Sequence, residues 1–543
     1  MSESADDKKS KVKAAIAGFA SKTLRTVIES PLATAVIVGT LAVAVYVVAY
    51  PLMVVHYPPI TDLPFHASAI SILRHYLDPA WHFREQFSLH FLEAPYWAMH
   101  ALGALFALFM PVVAATRLTT IVLLALLPAG MAVMFHGMRK SPLLGLLGLP
   151  FVWNTLSHWG FINFMGAIGL FGMVVGLALM VVDRPSRRRQ VLLGGVLLLV
   201  FATHIFRFPF ALASVVGVGL VMWPATRRWK PLIAPLTPSI LALVAWRLVT
   251  NKELSGGGLK FQRPDFGRLR QVPDLLFGGF AGTEEKHLAN VMYVTVGVLA
   301  LVCIAGFFAE RRWRGWDRKD WYWGAGVTVL ALTIAGVFFG MYLSLPMEIG
   351  IWWYVYPREI VSTLFVVLGV LPTLPRASWV RLAALAPLGW AVVSQGFFVA
   401  KNYARFDDAT RDFQQIVRGI PQAPRLGYMV FDHSGSTRST TPFIHMPAWV
   451  QAEKGGWLSF HFVEWNAWPM RYRKNNPAVP PLTPLRFEWT PERFDIATRG
   501  KFFDWFLVRS PSSPEYRFRA DPSIKLVDQV GSWWLLKRDG APV

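Results

Sequence analysis

The chain holds one cysteine, Cys303, among 543 residues. A single cysteine forms no internal disulfide and no thiolate metal cluster. Charge is also scarce. Only 16% of residues are Asp, Glu, Lys or Arg, against about 25% in an ordinary soluble chain. Acids are the scarcer kind, 33 against 54 basic residues, for a formal net charge of +21. With 54% apolar residues beside so little charge, composition excludes a soluble enzyme, a disordered chain and a fibre. No internal repeat stands out.

Long apolar runs are what the chain has in abundance. Several approach or exceed the ~20 residues that cross a bilayer. The first, 31–55, follows a polar tail that carries Lys8, Lys9, Lys11, Lys13, Lys22 and Arg25. It is too long for a signal-peptide core and no clear cleavage site follows, so it reads as a retained span. Further runs cover 97–113, 117–137, 142–157, 160–182, 191–203, 208–223, 231–249, 289–309, 321–343, 359–374 and 382–400. If all were spans, the basic clusters near 139–140, 184–189, 227–230, 311–319 and 376–381 would lie outside. Basic loops belong in the cytoplasm. Treating 97–113, with Pro95 before it and His100 and Pro111 within, as an interfacial segment repairs every loop at once. About eleven transmembrane helices result. The 191–203 and 208–223 runs are short and are expected to be tilted or broken around His204 to Arg207.

From Lys401 the composition changes: charge rises, long apolar runs end, and Pro and Trp become frequent. The expected organisation is a cytoplasmic tail 1–30, a transmembrane domain 31–400 and an extracytoplasmic α/β domain 401–543. Segments 425–431 and 505–508 read as buried strands, 532–537 as a closing strand, 409–419 as helical and 477–484 as a linker.

Polar residues at the mouth of a helical bundle are costly unless they have partners or work to do. The densest set follows the first span, in Pro58-Pro59-Ile60-Thr61-Asp62-Leu63-Pro64-Phe65-His66. Asp62 can cap the helix that Pro64 opens. His66, one turn on, can face the same cavity. A carboxylate beside an imidazole can also serve as a general base or hold a metal ion. Spacing leaves both readings open.

The layout resembles the glycosyltransferase C superfamily, including the protein O-mannosyltransferases and aminoarabinose transferases. The residues that carry the resemblance are Asp62 soon after the first span, Ala94-Pro95-Tyr96-Trp97 at the interfacial segment, and Thr116-Arg117-Leu118 at the next span. It covers residues 31 to about 200 in pattern and the remainder in architecture. It implies sugar transfer from a polyprenyl-phosphate-linked donor to a glycan, lipid or protein acceptor at the outer face of the membrane. Asp62, supported by His66 and His204, would then activate or orient the acceptor. A basic residue must neutralise the leaving phosphate, and Arg207 and Arg358 stand at expected outer span ends. Related transferases often carry a second acid near the outer start of the fourth span. Here that place holds Asn163, with His158 nearby, while Glu93 offers another carboxylate. A divalent metal ion is therefore an open expectation.

A bacterial inner membrane is the expected location. Competing functions are a transporter or flippase of a lipid-linked glycan and a non-enzymatic envelope assembly protein. No nucleic-acid partner is expected, because the basic loops are short and scattered among spans. Gly256-Gly257-Gly258 lacks a P-loop lysine, and Asp432-His433-Ser434 reads as loop chemistry.

Overall fold

The computed structural model describes residues 31–250, 261–433, 435 and 440–540. The tail 1–30, Gly256 to Gly258 and Ser434 lie outside the described residues.

Helix α1 (Pro31–Met53) leads into a long loop that holds α2 (Leu63–Arg74) and α3 (Ala98–Phe106). At 9 residues, α3 is too short to cross a bilayer, as the charge argument required. Next come α4 (Val112–Gly137), a one-turn α5 (Thr155–Trp159), α6 (Ile162–Asp183), α7 (Arg187–Thr203) and α8 (Phe208–Val221). The bundle is completed by α9 (Ile233–Val249), α10 (Glu284–Ala309), α11 (Arg318–Ser344), α12 (Pro357–Val367) and α13 (Ser378–Ala409).

Among the described residues, 7 helices are long and apolar enough to cross a membrane. The count of eleven therefore depends on four shorter segments. The 142–157 run is not an α-helix: Pro142–Phe151 is a 3₁₀ segment closed by Pro150, followed by α5. The 359–374 run forms α12 and a short 3₁₀ turn, Leu368–Val370. Between α7 and α8 the chain breaks at His204 and turns through Ile205–Arg207, where the sequence placed the interruption.

Helix α6 is buried along almost its whole length. It meets α4 through glycine: a Cβ on Gly130 would lie 2.0 Å from the Gly169 carbonyl oxygen. Small residues allow such close backbone approach where the hydrophobic effect between helices is weak. Outward-facing residues such as Leu41, Val45 and Leu248 are exposed and apolar, as a lipid-facing surface requires.

The five basic loops form one connected end of the bundle. Arg139 pairs with Asp183 and Asp320, and Arg228 donates to the Asp183 carbonyl. Lys140 donates to the Gly369 carbonyl, and Arg312 to that of Leu374. Glu310 joins Arg312 and Arg376.

At the C-terminal side, α13 runs on to Ala409 and is followed by α14 (Arg411–Ile416). The strands are β1 (Phe87–Leu89), β2 (Arg425–Val430), β3 (Trp457–Leu458), β4 (Met470–Tyr472), β5 (Trp505–Arg509), β6 (Ile524–Val530) and β7 (Trp533–Arg538). Helix α15 (Ala448–Lys454) lies between β2 and β3. The main sheet has the order β3-β2-β5-β7-β6. Strand β2 runs parallel to β3 and β5, while β7 runs antiparallel to β5 and β6.

This strand-rich domain is bolted to the first loop. Strand β1 pairs with β4, Phe87 opposite Tyr472. Ser68 donates to Gln451 at 2.7 Å, and the Gln86 amide donates to the Gly456 carbonyl at 3.0 Å. The Tyr57 hydroxyl donates to Glu453. Glu93, anchored by His90, pairs with Arg471.

Candidate active site

The turn before α2 is held by the turn after α5. The Thr61 amide donates to the His158 carbonyl at 3.0 Å, and the Asp62 amide to that of Trp159 at 3.1 Å. Gly160 closes this contact in the left-handed region, φ +101°, where a Cβ would lie 2.7 Å from the Cβ of Asp62. Asp62 stands at the N-cap position of α2, yet its side chain accepts no capping hydrogen bond. The cap reading therefore fails. The carboxylate is turned toward the C-terminal domain, where Nδ1 of His445 lies 3.1 Å from Oδ1.

His66 is buried and close enough to feel the charge of Asp62, but its direct partner is His100, at 3.0 Å between Nδ1 and Nε2. Its ring stacks on Trp468 at 5.0 Å, and His461 meets the same indole edge-on. Burial pushes His66 down to about 4, against the pull of Asp62, and His461 down to about 3. Both are neutral imidazoles in a dry wall behind Asp62.

Arg358 interacts with Asp62 through space, and Arg207 is among its neighbours. Arg207 is only 3% exposed and its Nη2 sits 2.6 Å from Glu359. Its charge is already matched. Arg358 lies over the Phe161 ring at 4.1 Å and donates to the carbonyls of Tyr354 at 3.1 Å and Trp353 at 2.8 Å. Among the described residues no carboxylate forms an ion pair with it. Asp62, Glu359 and the Tyr96 phenol act on it through space.

Several buried hydrogen-bonding groups around them are unmet. Both ring nitrogens of His204 and Nη1 of Arg207 are buried without a partner, and the buried Asn163 amide lies beside the Tyr96 phenol. Each such orphan costs roughly 1–3 kcal/mol if it stays unmet. The His204 ring packs 5.5 Å from Tyr96 and 5.4 Å from Phe164. The structure thus brings Asp62, Asn163, His204, Arg207 and Arg358 to one region.

Two other sequence candidates stand apart. The His158 ring packs on Phe280 and reaches the Tyr403 hydroxyl at 3.3 Å, so this residue meets Asp62's turn only through its backbone. Glu93 serves the strut to Arg471. Among the described residues no group of three or more His, Cys, Asp or Glu side chains is placed to hold a metal ion.

The sequence offered no sign of His445 or of Glu488. Both come from the C-terminal domain, and no local motif marks either. Glu488 interacts with both Asp62 and His445, and burial raises its carboxyl above the usual range. Trp489 beside it packs on Trp159. The Glu488 carboxyl thus comes near Asp62 from a distant part of the chain.

No known family profile and no curated protein matches the sequence. Solved structures do. The arabinofuranosyltransferase AftD from Mycobacteria aligns over 94% of this chain at 16% identity and a TM-score of 0.45. This chain spans 40% of AftD's length. ArnT from Cupriavidus metallidurans, in the apo state and bound to undecaprenyl phosphate, aligns over 93% of this chain. The identities are 14% and 13%, with TM-scores of 0.44 and 0.43. None of these likenesses assigns a residue or a substrate to this chain.

Proposed function

We propose that the protein is a membrane glycosyltransferase that moves a sugar from a polyprenyl-phosphate donor to an acceptor at the membrane's outer face. The observation that carries this is the juxtaposition of Arg358, a buried guanidinium with no carboxylate ion-pair partner among the described residues, with orphaned polar groups near the Asp62 carboxylate. Such a setting suits an anion, and it lies at the end of an apolar bundle where a lipid tail would be at home. Arg358 would hold the phosphate, with Asn163 and His204 bonding phosphate or sugar oxygens. Arg207 would set the local field through Glu359. Asp62 would activate or orient the acceptor.

Supporting the orientation, the basic loops lie together away from this site, and the positive-inside rule makes their end cytoplasmic. The C-terminal domain would then be extracytoplasmic and the N-terminus cytoplasmic, with the inner membrane of a bacterium as the proposed location.

The test is Asp62→Asn in full-length protein, matched to wild type for expression, with labelled polyprenyl-phosphate sugars as donors. Transfer should fall by about 10²–10⁴-fold, the usual contribution of a positioned acid–base group. Undiminished transfer would remove Asp62 from the reaction.

A further inference from the structure

We infer that the proton acceptor in this transfer is the imidazole of His445, carried in by the C-terminal domain, with Asp62 as the residue that orients it. The inference rests on the transferase reading and specifies how its acceptor is activated.

The geometry fixes the tautomer. Nδ1 of His445 faces the Asp62 carboxylate at 3.1 Å and the Thr61 carbonyl at 3.2 Å. Both are acceptors, so Nδ1 carries the hydrogen. A neutral ring then has its lone pair on Nε2, and Nε2 is buried without a hydrogen-bond partner. The ring cannot easily turn to satisfy it. Phe65 lies 4.6 Å from its centroid and Phe462 lies 5.1 Å away. Its backbone belongs to a tight turn in which the Met446 amide donates to Phe443 and the Ala448 amide to His445. A held ring with one nitrogen tied to a carboxylate and the other empty is equipped to take a proton from a ligand.

Four titratable groups face this ring. They are Asp62 from the turn before α2, Glu488 from the 487–489 segment, His433 after β2, and His461 after β3.

In the step itself, the acceptor's O–H bond breaks and its proton passes to Nε2. The acceptor oxygen forms a bond to the anomeric carbon from the face opposite the phosphate. The bond from that carbon to the phosphate oxygen breaks, and its electron pair leaves with the polyprenyl phosphate. The donor diester's single negative charge becomes two on the phosphate, met by Arg358. The imidazolium, stabilised by Asp62, returns its proton to water when product departs.

His445→Asn in the full-length protein separates the two roles of the ring. The asparagine amide can still donate to Asp62 from the Nδ1 position but has no lone pair where Nε2 was. The expected result is a fall in kcat of about 10²–10⁴-fold, unchanged KM for the lipid donor, and loss of the acidic limb of the pH–rate profile. If His445→Asn is unstable, His445→Gly with added imidazole serves instead. Rescue of transfer supports the assignment, while no rescue in a protein that still binds polyprenyl phosphate overturns it. A His445→Asn enzyme within about threefold of wild type, with its acidic limb intact, overturns the dyad and leaves the transferase reading standing. Wild type inert toward polyprenyl-phosphate sugars, yet still binding and moving a lipid-linked glycan, overturns both.

Discussion

Asp62 owes its position to a neighbour with no side chain. Gly160 adopts φ +101° and presses against both the Cβ and the amide of Asp62. An alanine there would be strained by its backbone and would push the carboxylate away from His445. Gly160→Ala should cost about 1–3 kcal/mol of stability and lower kcat at least about tenfold, because a 1 Å displacement of a reacting group can cost two orders of magnitude. Polyprenyl phosphate binding should be kept. A variant with wild-type kcat would show that the carboxylate needs no such support. At this scale the sequence was informative about single residues but not about pairs. Asp62 was legible because it follows a span directly and precedes Pro64. Its partner His445 was not, since nothing within Pro442 to Pro447 distinguishes that histidine from a core residue. The same holds for Glu488, whose meeting with Asp62 is a product of tertiary docking.

The elements around the site are tied by a buried ion pair. Arg207, at the break between α7 and α8, reaches Glu359 in the first turn of α12. Removing one partner leaves the other charged and dry. Arg207→Ala should therefore destabilise the protein by about 3–5 kcal/mol, while Arg207→Met with Glu359→Leu should be far milder. Thermal unfolding in detergent measures both. Equal stability of the single variant and wild type would mean that water reaches the pair. The long elements were readable from hydropathy alone, because α1, α4, α6, α9, α10, α11 and α13 each contain a long apolar stretch. The segment at 142–151 was not, because hydropathy reports apolarity and not helix type, and Pro142 and Pro150 bound a 3₁₀ stretch.

On the scale of the whole molecule, the first loop and the C-terminal domain share an aromatic and histidine wall built around Trp468. His66 is held down to about 4 and His461 to about 3 by burial, whereas both titrate near 6.5 in an unfolded chain. Between about pH 6.5 and pH 4 the unfolded chain binds more protons than the folded one. The stability these neutral rings contribute is complete above about pH 6.5 and is lost as pH falls through that window. The Tm of the full-length protein should therefore fall between about pH 7 and pH 5, and His461→Phe should flatten the dependence. A pH-independent Tm would mean that the wall is wet. Parity of basic loops gave the arrangement of ends, because each loop must sit on one side or the other and a single misassigned span reverses all that follow. The order of the five-stranded sheet was beyond such reasoning, since β2, β5 and β7 are alike in apolarity and pair across long separations.

The transferase reading requires a lipid-linked phosphate to bind at Arg358, beside Asp62. Binding of a polyprenyl phosphate to purified wild type, Arg358→Gln and Asp62→Asn, measured in lipid nanodiscs, addresses it most directly. A hydrogen-bonded charge is worth roughly 1.5–3 kcal/mol, so Arg358→Gln should weaken binding by about ten- to a hundredfold while Asp62→Asn leaves it nearly unchanged. Wild-type affinity in the Arg358→Gln protein, at matched folding, would contradict the account.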